Sequence, residues 1–246
     1  MELTTLGADG TYPTQHGACS GYLVRHDGFT MWMDAGNGTL SKLQRHATFG
    51  DVDAIFLSHA HPDHCADLYP FFYALLMERR TVPVFTARGV RDKLITLIGE
   101  DSRARFTSLL DWHEMSPGDV GEAGPLRIEA FDAAHSTANV TARISAAGKT
   151  LCYSGDTGPN EHLGKAAAGA DVFLCEASWL ESDIGMMDPI HMTARQTGEV
   201  ARAADVGRLV LTHVWPRNDR TAVLEQAAAG YGAEPELARE IESTQI

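Results

Sequence analysis

Basic residues are scarce: 20 lysines and arginines stand against 33 aspartates and glutamates, a formal net charge of −13 in 246 residues. Such a surface repels a polyanion, and nucleic-acid binders usually carry a basic face, so a large RNA or DNA substrate is disfavoured. A small phosphorylated substrate held by metal ions is not. Long apolar runs are also missing. The longest, Leu68 to Met77, is too short for a membrane span and ends in Glu78-Arg79-Arg80. The first residues, Met1-Glu2-Leu3-Thr4-Thr5-Leu6, lack a basic stretch followed by an apolar one, so no secretory leader is expected and a soluble cytoplasmic protein is. Cysteine is sparse, and Cys19, Cys65, Cys152 and Cys175 form no Cys-x-x-Cys pair, which argues against a zinc ribbon or a thioredoxin-type site. There is no low-complexity tract and no Pro/Ser linker, so residues 1–246 are expected to form a single domain.

Against these absences stands one dense segment. Residues 58–64 read Ser-His-Ala-His-Pro-Asp-His, directly after the apolar run Ala54-Ile55-Phe56-Leu57. The run reads as a buried strand, and the heptad as the loop at its end, where open α/β sheets place their sites. His59, His61 and His64 with Asp63 offer borderline nitrogen and hard oxygen donors, a set suited to zinc and related divalent metals. The plain alternative is a solvated histidine-rich loop.

The rest of the chain supplies partners in the same topological place. Strands are expected at Glu2–Leu6, Gly21–Arg25, Thr30–Asp34, Val84–Thr86, Asp111–Met115, Leu126–Phe131, Val140–Ser145, Leu151–Ser154, Val172–Cys175 and Arg208–Leu211. Helices are expected near Thr39–Arg45, Leu68–Glu78, Gly89–Ile98, Glu161–Ala168 and Thr221–Ala229, and after the capping box Thr193-Ala194-Arg195-Gln196. Gly99–Leu110 has no clear pattern, and the tail is expected to form one last strand. His135, Asp156 and His213 each follow an apolar strand. Singly, each would be an ordinary loop residue; together they point to a dinuclear site. Asp34, at another strand end, is either a turn residue or a hydrogen-bond partner of the metal loop. The strand-rich and helical blocks occur twice, which suggests two sheets face to face with helices outside. The helix Leu68–Glu78, with Tyr69, Phe71, Phe72 and Tyr73, reads first as core, and makes a homodimer plausible.

His59-x-His61-x-Asp63-His64, followed by His135, Asp156 and His213 in that order, resembles the metallo-β-lactamase fold superfamily over nearly the whole chain. The resemblance implies an α/β fold, the αββα sandwich. It implies two divalent metal ions, zinc first and manganese as the alternative. His59, His61 and His135 would hold one, Asp63, His64 and His213 the other, and Asp156 would bridge. A bridging aspartate, where true zinc β-lactamases generally carry cysteine, favours phosphodiesters, thioesters or lactones.

Cys175-Glu176-Ala177-Ser178 and His191-Met192-Thr193-Ala194 resemble the glutamate and histidine motifs of the ribonuclease Z-like branch. There His191 would reach the scissile phosphate, Glu176 would orient it, and Asp63 would also hydrogen-bond the nucleophile. Ribonuclease Z inserts a long arm between its third histidine and its bridging aspartate. Here His135 to Asp156 has room only for two strands and a turn at Gly148. With Gly155-Asp156-Thr157-Gly158, Cys175-Glu176-Ala177-Ser178-Trp179 and Leu211-Thr212-His213, the chain most resembles the arm-less bacterial cyclic-nucleotide phosphodiesterases. The expected activity is therefore hydrolysis of a small cyclic-nucleotide phosphodiester by a hydroxide formed at the metals, with no membrane or nucleic-acid partner. A tRNA 3′-end endonuclease and a thioester or lactone hydrolase are the alternatives. The loop Ser178–Ile190, with Trp179, Met186 and Met187, is a candidate flap, and Trp215 a candidate wall for the base.

Overall fold

The computed structural model describes residues 1–185 and 189–246. The first half contains β1 (Glu2–Gly7), β2 (Gly21–His26), β3 (Phe29–Ala35), α1 (Thr39–Leu43), β4 (Ala54–Leu57), α2 (Pro62–Cys65), α3 (Leu68–Glu78), β5 (Val82–Ala87), α4 (Val90–Leu94), α5 (Glu100–Leu109) and β6 (Leu110–Met115). The second contains β7 (Val120–Ala123), β8 (Leu126–Asp132), β9 (Val140–Ala146), β10 (Lys149–Tyr153), α6 (Glu161–Ala167), β11 (Val172–Glu176), α7 (Ala194–Ala203), β12 (Arg208–Thr212), α8 (Arg220–Tyr231), β13 (Glu236–Leu237) and β14 (Ser243–Gln245).

The strands form two seven-stranded sheets, ordered β14-β1-β2-β3-β4-β5-β6 and β13-β12-β11-β10-β9-β8-β7. Each is antiparallel on one side and parallel on the other: β3 to β6 run parallel in the first sheet, β10 to β13 in the second. Strands buried on both faces should be apolar at every position, and β10 to β12 show why. Leu151, Tyr153, Leu174 and Val210 point into the core between the sheets. Their neighbours Cys152, Phe173, Cys175, Leu209 and Leu211 point the other way, against residues of α6, α7 and α8. Period-2 alternation therefore splits each strand between two apolar layers. The architecture is the αββα sandwich of the metallo-β-lactamase type.

Three features depart from the sequence reading. Gly99–Leu110 contains a helix, α5, whose Phe106 is fully buried against the rings of Tyr69, Phe72 and Trp112. β7 carries no sequence signal, because it is an edge strand with one buried residue, Ala123, and so has no apolar run. The tail forms two short strands rather than one, and β14 returns to pair with β1 of the opposite sheet. In α3, Leu68, Phe71, Phe72 and Leu75 are core residues, while Tyr73 and Met77 are exposed. No helix among the described residues is long and apolar enough to cross a membrane.

The parallel strands end on the same edge of the sandwich, and close backbone packing closes that edge. A Cβ on Gly36, just past β3, would lie 2.1 Å from the Asp63 carbonyl oxygen and 2.7 Å from that of Ser20. Gly36→Ala is therefore expected to destabilise by about 1–3 kcal/mol, as overpacking does. At roughly 2–4 °C per kcal/mol for a chain of this size, a thermal melt will read the loss, and an unchanged midpoint would refute it.

Candidate active site

Seven side chains from separate stretches converge at that edge in two groups. His59, His61, His135 and Asp156 form one, and Asp63, His64, Asp156 and His213 the other. His59 and His61 come from the loop after β4, and Asp63 and His64 from the one-turn helix α2. Pro62 opens that helix at a position where its missing N–H is harmless. His135 follows β8, Asp156 follows β10 and His213 follows β12. His213 adopts a left-handed backbone (φ 48°), which turns the chain sharply out of the strand.

Asp156 lies between the groups, nine-tenths or more buried, with one carboxylate oxygen toward each. Its Oδ2 is 3.7 Å from His59 Nε2 and 3.9 Å from His135 Nε2. Its Oδ1 is 3.1 Å from His64 Nε2 and 3.4 Å from His213 Nε2. Asp63 Oδ2 closes the second group, 3.1 Å from His213 Nε2 and 3.7 Å from His64 Nε2. It also accepts the Thr11 backbone N–H at 3.0 Å. In the first group His61 Nδ1 sits 3.0 Å from His59 Nε2 and 3.1 Å from His135 Nε2.

The outer hydrogen bonds decide which ring nitrogens face inward with a lone pair. His64 Nδ1 is 2.7 Å from Asp34 Oδ2, and a carboxylate only accepts, so Nδ1 carries the proton. His135 Nδ1 likewise donates to the Ile190 carbonyl at 3.0 Å. Ser178 donates its hydroxyl proton to Glu176 and can then accept from His213 Nδ1 at 2.8 Å. Ser58 donates to Asp34 Oδ2 at 2.7 Å and can accept from His59 Nδ1 at 3.0 Å. Four Nε2 atoms are thus left to point at the centre.

Electrostatics agree with a cation-binding centre. Burial, reinforced by neighbouring imidazoles, holds His59 well below the ordinary histidine range, and burial also lowers His61 and His135. These rings are neutral at pH 7, the form that binds metal. Burial opposes charge on His64 too, but Asp156, Asp63 and Asp34 outweigh it and raise that ring well above the usual value. A proton there answers the negative charge that a divalent ion would otherwise neutralise. Burial would raise Asp156 and Asp63, yet the surrounding histidines win and both are lowered. His64 Nε2 and Asp156 Oδ1 are buried 3.1 Å apart without a well-aligned hydrogen bond, and two such atoms facing a ring of N and O donors fit a metal site.

A third group, Glu176, His191 and His213, adjoins the second. Glu176 is fully buried and lies 3.1 Å from His191 Nδ1. It also accepts the backbone N–H groups of Thr157 and Met192. The His191 ring stacks on His213 with centroids 5.4 Å apart. Burial depresses its pKa, but the Glu176 carboxylate more than compensates and lifts it to about 9.

The sequence reading missed the backing residues Ser58, Tyr153, Ser178 and Thr11. Adjacency to a ligand or a site glutamate was a usable hint for Ser58 and Ser178. Nothing local marks Tyr153 or the Thr11 N–H. Trp179, offered by the sequence as part of a flap, is packed down instead. Trp179 is only 3% exposed, and its backbone bonds to Met192 and Ala194 pin it beside α7. Met186 and Met187 lie outside the described residues. One face of Trp215 is already covered by the Arg217 guanidinium, 4.5 Å from the ring centroid. A cavity of about 320 Å³ lined by Asp9, Leu211, Arg220 and Arg239 lies beside the 8–18 loop rather than over the ligands.

Residues 12–214 match the beta-lactamase superfamily domain. The chain is 35% identical over 240 residues to an uncharacterized protein of Mycobacterium leprae (strain TN), covering 94% of this chain and 84% of that one. It is 27% identical over 220 residues to the probable metallo-hydrolase YhfI of Bacillus subtilis (strain 168), covering 87% of each. The crystal structure of YhfI superposes with a TM-score of 0.89 at 24% identity, over 99% of this chain and 98% of that one. A ribonuclease Z of Haloferax volcanii is 27% identical over 304 residues, covering 100% of this chain and 95% of that one. The chain belongs to the beta-lactamase superfamily and is a metal-dependent hydrolase of that sandwich fold.

Proposed function

We propose that this protein hydrolyses small phosphodiesters, cyclic nucleotides foremost, at a pair of divalent cations in one domain spanning residues 1–246. One cation is held by His59, His61 and His135, the other by Asp63, His64 and His213, with Asp156 shared between them. Nitrogen and carboxylate donors without thiolate suit zinc, with manganese the alternative. Two such ions supply Lewis-acid stabilisation of phosphoryl oxygens and lower the pKa of water toward neutrality.

The observation that carries the reading is the Glu176–His191 pair beside the ligand cluster. Glu176 occupies His191 Nδ1, so Nε2 is the nitrogen that can meet a substrate. Raised to about 9, His191 carries a proton at neutral pH, as a general acid for a departing ribose oxygen must. Its positive charge also favours an anionic substrate over a neutral lactone. Asp63 would accept a hydrogen bond from the attacking water.

The hairpin between His135 and Asp156 supports a small substrate. Ala146 pairs with Lys149, and Ala147 and Gly148 both take positive φ (49° and 79°), so β9 and β10 meet in a two-residue turn. That turn has no room for an arm that could grip a tRNA. The Haloferax volcanii relative named ribonuclease Z favours a second reading, processing of tRNA 3′ ends. Purified protein with Zn²⁺ or Mn²⁺ should hydrolyse bis(p-nitrophenyl) phosphate and convert cyclic AMP to AMP. An active preparation that cleaves only thioesters or lactones would overturn the proposal. Tight, salt-sensitive binding of precursor tRNA would turn it toward the nuclease. A homodimer through exposed Tyr73 and Met77 of α3 is a further part of the proposal. Sedimentation as a monomer would remove it.

A further inference from the structure

Asp34 ends β3 fully buried, in the left-handed backbone region (φ 54°) that a non-glycine residue rarely adopts. Its carboxylate receives four hydrogen bonds. The Ser58 N–H reaches Oδ1 at 2.7 Å. The Ser58 hydroxyl, the Tyr153 hydroxyl and His64 Nδ1 all reach Oδ2, each at 2.7 Å. Ser58 Oγ also lies 3.0 Å from His59 Nδ1. One carboxylate therefore stands behind a histidine of each metal group: directly behind His64, and through the Ser58 hydroxyl behind His59. Tyr153, from the opposite sheet, closes the arrangement. It is 1% exposed, and among the described residues its hydroxyl bonds to nothing but Asp34.

We infer that Tyr153 and Ser58 are positioning residues that set the affinity of both metal ions through Asp34. The inference rests on the metal-centre reading above and extends it to a layer two bonds away from the ions. A buried carboxylate with no lysine or arginine paired to it among the described residues depends on its donors for charge compensation and for a fixed orientation. With three donors on Oδ2, the share of its charge felt by His64 is limited and the imidazole plane is held. Tyr153→Phe removes one donor and leaves the ring in place, so the carboxylate can turn. The effect falls on the ion held by His64. Ser58→Ala removes the only link to His59, so its effect reaches both ions. His213 is backed in the same relayed way by Glu176 through Ser178, but Asp34 is the carboxylate that reaches a histidine of each group.

Zn²⁺ affinity measured by chelator competition, with metal content counted per chain, tests this. Outer hydrogen-bond partners typically change metal affinity by about 10–100-fold. Tyr153→Phe is expected to weaken one of two Zn²⁺ ions by about tenfold, and Ser58→Ala to weaken both. Asp34→Asn should weaken one or both more strongly, and Tyr153→Phe should add little in that background, because it acts through Asp34. If Asp34→Asn does not fold, the contrast between Tyr153→Phe and Ser58→Ala carries the test. Wild-type affinity for both ions in Tyr153→Phe, or additive losses with Asp34→Asn, would overturn the inference. So would a fall in metal-free melting temperature without any change in affinity, since that marks a purely structural tyrosine. Wild-type protein that binds no Zn²⁺ at all would instead sink the metal-centre reading itself.

Discussion

Asp156→Ala is expected to lower bound metal from two ions per chain to at most one and to reduce phosphodiesterase turnover by about 10³-fold or more. Asp156 is the only side chain common to both groups, with Oδ2 facing His59 and His135 and Oδ1 facing His64 and His213. In the proposed two-metal centre its loss would remove a ligand from each ion at once. It would also remove the negative charge that offsets two dications in a buried cluster. Losing one metal forfeits several kcal/mol of transition-state stabilisation, and each 1.4 kcal/mol is a tenfold change in rate. Metal analysis and a bis(p-nitrophenyl) phosphate assay read the two effects together. Retention of both ions would show that Asp156 does not bridge.

His191→Ala should behave in the opposite way: metal content stays near two per chain while turnover falls by about 10²–10⁴-fold, the range for losing a general acid. His191 hydrogen-bonds Glu176 and is not one of the seven proposed ligands, so its removal would leave all seven in place. The pH profile gives a second readout. A raised histidine pKa means that the protonated, active form is present at low pH and is lost as pH rises through that pKa. In the wild type this alkaline limb should lie at or below about 9, since bound cations beside the ring would pull its pKa down. Glu176→Gln removes the charge that raises the pKa, so the limb should move to lower pH. An alkaline limb unmoved by Glu176→Gln would exclude His191 as the acid. Loss of metal in His191→Ala would make it a structural residue.

How much was legible in the chain itself differs from residue to residue. The heptad 58–64 was readable because its donors are neighbours in sequence and follow an apolar run. His135, Asp156 and His213 were readable because each sits just past a strand, where the edge of a sheet exposes loop atoms. Strand positions were clear wherever both faces are buried, as in β4, β11 and β12. β7 was not, because an edge strand need bury only a single face. Trp179 illustrates the opposite error. A tryptophan in a loop looked like a cover, but its ring is packed beside His191 and its backbone is bonded to the start of α7.

The amino-acid order alone determined the identities of the donors, the alternation that builds two sheets, and the net charge of −13. Those are properties of single residues and of short-range periodicity, which a linear reading can see. Only the folded arrangement decided that Asp156 faces both groups, that Glu176 takes His191 Nδ1 rather than Nε2, and that Tyr153 reaches across from the second sheet to Asp34. Hydrogen bonds act over about 3 Å. Residues 119 positions apart come within that distance only when the two sheets pack face to face.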